Sequence, residues 1–93
     1  MILGEVTGSV VATVKHYKLE GRKLLVVQPL GIDERPRGME LLAVDGVGAG
    51  EGDRVLVVQE GRSASMVSDR LESPLDAAVI AIVDHVEIEV EAR

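Results

Sequence analysis

Met1-Ile2-Leu3-Gly4-Glu5-Val6-Thr7-Gly8-Ser9-Val10-Val11-Ala12-Thr13-Val14-Lys15 opens the chain and alternates with a period of two. Even positions carry Ile2, Gly4, Val6, Gly8, Val10, Ala12 and Val14; odd positions carry Glu5, Thr7, Ser9, Thr13 and Lys15, with Leu3 and Val11 as the exceptions. Successive side chains of a strand point to opposite faces, so this pattern describes a strand with one apolar face, whereas a helix would need returns at three and four. Gly4 and Gly8 fall inside it, and an interior strand glycine marks a bulge, a corner or a close backbone approach. The segment reads as a long, bent first strand.

Working outward, Glu20-Gly21-Arg22 reads as a hairpin turn into the apolar run Leu24-Leu25-Val26-Val27, which Pro29 is expected to end. Residues 31–38 are polar, contain Pro36 and read as a connecting loop. A third strand is expected from about Met39 to Asp45, a glycine-dense loop over residues 46–52, and a fourth strand at Val55-Leu56-Val57-Val58. Residues 62–72 are small and polar. Ser73-Pro74-Leu75-Asp76 has the form of a helix start, with Ser73 as cap, Pro74 in the first helical position and Asp76 where a capping carboxylate belongs. That helix can only be short, because Val79-Ile80-Ala81-Ile82-Val83 begins another β run, which passes into alternation at Val86-Glu87-Ile88-Glu89-Val90-Glu91. The fold class is therefore all-β: one domain over residues 1–93, a small, partly open, five-stranded OB-like barrel with one short helix.

The runs at residues 24–27, 55–58 and 79–83 have no polar face. The outward face of a small monomeric barrel is wet and should alternate. Three strands apolar on both faces predict that something covers the outside, and in a chain of 93 residues the cover is expected to be another copy of itself.

Composition narrows the functional classes. Hydrophobic residues make up 46% of the chain, almost all aliphatic, with one Tyr and neither Phe nor Trp, so there is no aromatic platform for bases or sugars. The net charge of -6 opposes a phosphate backbone as partner, because such affinity comes from Lys and Arg displacing counterions. Lys15, Lys18, Arg22 and Lys23, then Arg35 and Arg37, are scattered and read as solvated. There is no Cys to supply a disulfide, nucleophile or thiolate ligand. No apolar run reaches bilayer length and no cationic leader opens the sequence, so the expectation is a cytoplasmic protein without membrane partners.

No motif proposes an enzyme, a cofactor or a metal. The glycine loop lacks both the dinucleotide spacing and a Walker lysine, and a strand follows it rather than a helix, so it reads as a structural turn or an assembly contact. His16 and His85 have no ligand-spaced partners and read as exposed strand residues. The serines at 63, 65, 68 and 73 lack a nucleophile elbow. Glu87, Glu89 and Glu91 are expected on one strand face as a repelling, solvated edge.

Several segments resemble, in order and over nearly the whole chain, the EutN/CcmL family of microcompartment vertex proteins. These are the opening Gly4-Glu5-Val6-Thr7-Gly8-Ser9-Val10-Val11-Ala12-Thr13, then Lys23-Leu24-Leu25-Val26-Val27-Gln28, Ala43-Val44-Asp45-Gly46-Val47-Gly48-Ala49-Gly50, Val55-Leu56-Val57, and Ser73-Pro74-Leu75-Asp76-Ala77-Ala78-Val79-Ile80-Ala81-Ile82-Val83-Asp84. The resemblance implies a cyclic homopentamer at the vertices of a polyhedral shell inside the cytoplasm, beside hexameric and trimeric shell proteins. By the same resemblance Pro74, Asp76, Ala77 and Ala78 match an element near the subunit interface, and Gly48, Ala49 and Gly50 a contact loop. Gly61, Arg62, Ser63 and Ala64 match a loop approaching the pore, with Arg62 where the family usually has a small Ser and Ser65 where it has Arg. An Ala78→Asp change is expected to break the ring. An OB-type oligonucleotide-binding module is the alternative reading, disfavoured by charge and by the missing aromatics.

Overall fold

The computed structural model describes residues 1–11, 22–59 and 77–88. Five strands form, β1 Ile2–Val10, β2 Leu24–Leu30, β3 Leu41–Asp45, β4 Arg54–Val58 and β5 Ala78–Ile82. They close into a barrel in the order β1-β2-β3-β5-β4. All neighbouring pairs are antiparallel except β3 and β5, which run parallel over only Val44↔Ala78 and Asp45↔Val79. This short seam carries the hydrogen bonds from Val44 N to Ala77 O and from Gly46 N to Val79 O, both 3.0 Å. The barrel is thus closed rather than partly open. Closure leaves no strand edge unpaired all the way round, the surest protection against edge-to-edge association.

The interior is narrow and its filling is correspondingly small. Val6, Leu25, Val27, Ala43, Ala49, Val55, Val57, Ala77 and Val79 form one buried cluster, with Ile2 and Leu41 packed against it. Inward positions of a five-stranded barrel face one another at short range, and Val and Ala fill that space where an aromatic ring would overpack it. Each fully buried Val or Leu contributes about 1.5–3 kcal/mol of transfer free energy.

β1 departs from the single-faced strand that its alternation suggests. Val6 pairs with Val27 and Gly8 with Val26, so Thr7 is an inserted residue, a β-bulge. The insertion exchanges the faces: Ile2, Gly4 and Val6 point inward, while Gly8 stands beside Val26 on the outside. Val10 packs on a second, outer cluster with Leu24 and Val44. The Thr7 hydroxyl, turned out of the ladder, donates to Glu40 Oε2 at 2.6 Å and ties the bulge to the segment before β3. Gly4 is a close approach, since a Cβ there would stand 2.4 Å from Val27 Cγ1.

Pro29 does not end β2, which runs through it to Leu30. The N–H and C=O of a strand residue point to the same side. The Pro29 carbonyl accepts from Arg37 N at 2.8 Å, away from β1, so its missing N–H removes nothing from the β1 ladder. At the other end of the chain, β5 stops at Ile82 and residues 83–88 are not strand. His85 is exposed, as expected, but not in a strand, and Glu87, exposed 3.5 Å from it, is likewise outside the strand edge expected of it. Glu89, Glu91 and His16 fall outside the described residues, as do the first hairpin turn and the short helix expected near residues 73–76; no helix occurs among the described residues.

Candidate functional site

The glycine loop between β3 and β4 is organised by a carboxylate of the chain itself. Asp45, at the end of β3, accepts at Oδ1 from Val47 N (3.0 Å), Gly48 N (3.0 Å) and Ala49 N (3.2 Å). Lys23 Nζ donates to the Ala49 carbonyl at 2.6 Å and stands 3.6 Å from Asp45 Oδ2. Asp53 Oδ2 accepts from Gly50 N at 2.8 Å, and Gly52 N donates to Val6 O at 2.8 Å. Successive N–H groups converging on one point are what an anion-binding loop offers. Here Asp45 fills that position, so the loop's donors face an internal anion rather than a phosphate. Gly48 (φ +78°) and Gly52 (φ +93°) take the left-handed backbone that the turns demand.

The wiring carries Ala49 into the core, where it is fully buried. Of the three loop residues singled out in the sequence, Gly48 is therefore exposed, Ala49 closes the interior, and Gly50 is fixed by Asp53. Asp45 and Lys23 are the residues that sequence reasoning passed over. An Asp followed by Gly-Val-Gly is the available signal, because Asp bonds its own backbone two or more residues on.

Ala77 and Ala78 are both buried within one chain, Ala77 in the core and Ala78 at the β3–β5 seam, opposite Val44 and Val58. A charge at Ala78 would disrupt the barrel before it tested an assembly contact, so the informative positions lie elsewhere. Pro74, Asp76, Gly61, Arg62, Ser63 and Ala64 lie outside the described residues.

The outside of the barrel carries aligned apolar rows. Leu3, Leu56 and Ala81, each partly exposed, stand side by side across β1, β4 and β5, and the buried Leu30 of β2 continues the row. Next along the strands comes a polar row, Gln28, Glu5 and Arg54, with Arg54 Nε 2.7 Å from Glu34 Oε1. Beyond that row, Gly8, Val26 and Leu42 line up across β1, β2 and β3, Leu42 being 45% exposed. Loop residues Ile32 (69%) and Met39 (87%) are still more exposed. No group of three or more His, Cys, Asp or Glu among the described residues is placed to hold a metal ion. No helix among them is long and apolar enough to cross a membrane.

Taken together, the fold is a small closed β-barrel with apolar rows on its outer surface and the backbone donors of its glycine loop satisfied internally, a module organised for packing. The chain belongs to the family described as ethanolamine utilisation protein EutN/carboxysome, whose model matches residues 1–84. It is 46% identical over 87 residues to the bacterial microcompartment shell vertex protein GrpN of Rhodospirillum rubrum (strain F11), covering 94% of this chain and 97% of that one. It is 45% identical over 91 residues to the carboxysome shell vertex protein CcmL of Synechococcus elongatus, covering 96% and 89%. The solved GrpN pentameric microcompartment shell protein from Rhodospirillum rubrum superposes with a TM-score of 0.83 at 46% identity, covering 95% of this chain and 100% of that one. EutN from Escherichia coli superposes with a TM-score of 0.81 at 42% identity, covering 95% and 90%.

Proposed function

We propose that this chain is a vertex unit of a polyhedral microcompartment shell, acting as a homopentamer that fills five-fold positions between hexameric and trimeric shell proteins in the cytoplasm. The observation that carries the reading is the end-to-end match, in sequence and in fold, to a pentameric shell protein. Its function is geometric. Flat six-fold tiles cannot close a shell unaided, and a five-fold unit supplies the curvature at each corner. On this reading the protein performs no chemistry and needs no cofactor.

A cyclic ring is heterologous, so each subunit presents two different faces to two neighbours. The separate apolar rows on the outside of the barrel supply the surface such a ring must bury. Native mass spectrometry of the purified protein at micromolar concentration is expected to give a species of five times the chain mass. A stable monomer, or a dimer, under those conditions overturns the reading.

A further inference from the structure

Asp45-Gly46 is the one place in the sequence where an Asp precedes a Gly. Asp33, Asp53, Asp69, Asp76 and Asp84 are followed by larger residues, and there is no Asn. An aspartyl side chain can close on the backbone nitrogen of the next residue, and a glycine, with no Cβ, leaves that nitrogen unhindered. In this fold both partners of the reaction are held. Gly46 N donates across the β3–β5 seam to Val79 O at 3.0 Å, and Asp45 N donates to Lys23 O on β2's side at 2.8 Å. The Asp45 carboxylate accepts at Oδ1 from Val47, Gly48 and Ala49, stands 3.6 Å from Lys23 Nζ at Oδ2, and has a side chain only 5% exposed. The Gly46 nitrogen must leave Val79, and its peptide plane must turn, before its lone pair can meet Asp45 Cγ. The bond that holds it belongs to a ladder of only two residues.

We propose that Asp45-Gly46 is a site of isoaspartate formation latched by the barrel's own closure, and that opening of the β3–β5 seam, rather than unfolding of the whole chain, releases it. When the seam parts, the Gly46 nitrogen attacks Asp45 Cγ. A Cγ–N bond forms, a Cγ–O bond breaks, and the oxygen leaves as water, taking up the amide proton and the proton of the carboxyl's acid form. The product is a five-membered succinimide. Water then adds to one of its two ring carbonyls. Addition at Cγ restores Asp45, whereas addition at the main-chain carbonyl breaks the original peptide bond and leaves Gly46 attached through Cγ. One water is lost and one regained, so the mass is unchanged and no oxidant takes part. The isoaspartyl product has an extra methylene in its main chain and a carboxylate directly on Cα. It therefore loses both the seam register at Gly46 and the reach by which Asp45 Oδ1 gathers three loop amides.

The full chain, aged at neutral pH both folded and in urea, tests this. Isoaspartate is read by methyl transfer from labelled S-adenosylmethionine with an L-isoaspartyl methyltransferase. It is located by peptide mapping with a protease that cuts before Asp and not before isoaspartate. In urea it is expected at position 45 ahead of every other Asp, and in Gly46→Ala to fall to their level, a comparison that does not depend on the variant's folding. In the folded protein it should form more slowly than in urea, by a factor within about tenfold of the hydrogen-exchange protection of the Gly46 amide, because both events wait on the same opening. The purified chain carrying isoaspartate at 45, returned from urea, should be no more stable than Asp45→Ala. Isoaspartate at another Asp ahead of 45, or equal rates in the folded and urea-unfolded chains, overturns the proposal. So does slowing more than about tenfold beyond the Gly46 exchange protection, which would mean that global unfolding is required. Stability of the isoaspartyl chain above that of Asp45→Ala overturns the structural consequence drawn for the product.

Discussion

Replacing Gly4 by valine is expected to be among the most damaging single changes this barrel can suffer. A Cβ at Gly4 would lie 2.4 Å from Val27 Cγ1 and 3.1 Å from the Gln28 carbonyl oxygen. Real Cβ atoms do not approach heavy atoms so closely, and neither neighbour can give way easily. Val27 is fully buried in the centre of β2 with its stiff χ1 set by the core, and the Gln28 oxygen is backbone. Overpacking a tight core typically costs about 1–3 kcal/mol. With the further methyl groups of valine, the upper part of that range is expected. For a domain of this size each kcal/mol lowers the melting temperature by roughly 4–8 °C, so a fall of about 10–20 °C should be seen by thermal circular dichroism. Gly8→Val, the same exchange four residues on, meets nothing within 4 Å among the described residues and serves as the control, read on the unfolding of the barrel itself. A Gly4→Val protein that melts with the parent would show that the β1–β2 approach is looser than these distances require.

The second large effect is expected at Asp45. Its carboxylate accepts three backbone donors of the glycine loop and is almost wholly buried beneath Lys23. Bonds to an ionised acceptor contribute about 1.5–3 kcal/mol each when well formed. Val47 and Gly48 are exposed enough for water to replace part of this, whereas Ala49 is fully buried and its N–H is the costly one to orphan. Asp45→Ala is therefore expected to cost about 2–4 kcal/mol in denaturant unfolding and to free Ala49 from the end of the core. Asp45→Asn keeps an acceptor oxygen and should lose roughly half as much. Lys23→Met, at a half-exposed side chain, should lose about 1 kcal/mol or less. Equal stability of Asp45→Ala and the parent would refute the role given to the carboxylate.

Much of this architecture is legible in the sequence, and what is not has identifiable causes. The alternation from Met1 and the unbroken apolar runs at 24–27 and 55–58 locate where β1, β2 and β4 begin to within a residue, since period and β-branching are local properties, but β1 ends at Val10 where the alternation runs on to Lys15, and β2 continues to Leu30. Gly4 and Gly8 announce a close approach and a bulge, but only the pairing with β2 shows which is which. Because the bulge falls between residues of equal parity, Val10 reads as an inward residue and lies outside, an exchange that no period can reveal. Pro29 misleads for a related reason, because its cost depends on which side of the strand carries the ladder. The pattern at 86–91 is strand-like in composition, yet residues 86–88 are not strand, and 89–91 lie outside the described residues. As for function, family likeness carries the role, and the site residues depend on tertiary placement. Ala77 and Ala78 are small because the barrel closes there, and Asp45 matters because the loop folds back over it.

The parallel seam between β3 and β5 has a kinetic consequence. It joins residues 44–45 to residues 78–79, a separation of 34 positions (78 − 44), for only two paired residues, whereas the β1–β2 hairpin ladder is more extensive. The β1–β4 pairing spans still more of the sequence but is four residues long, so it is the two-residue ladder, with little to return for the loop it closes, that makes the seam the first part of the circle to breathe. Native-state hydrogen exchange should find the amides of Val44 and Gly46, the donors across the seam, exchanging well before those in the centre of β1 and β2. Equal protection at both places would mean that the circle opens only by global unfolding. The barrel would thus have one defined place where its strands are briefly available to other chains, at residues 44–46 and 77–79.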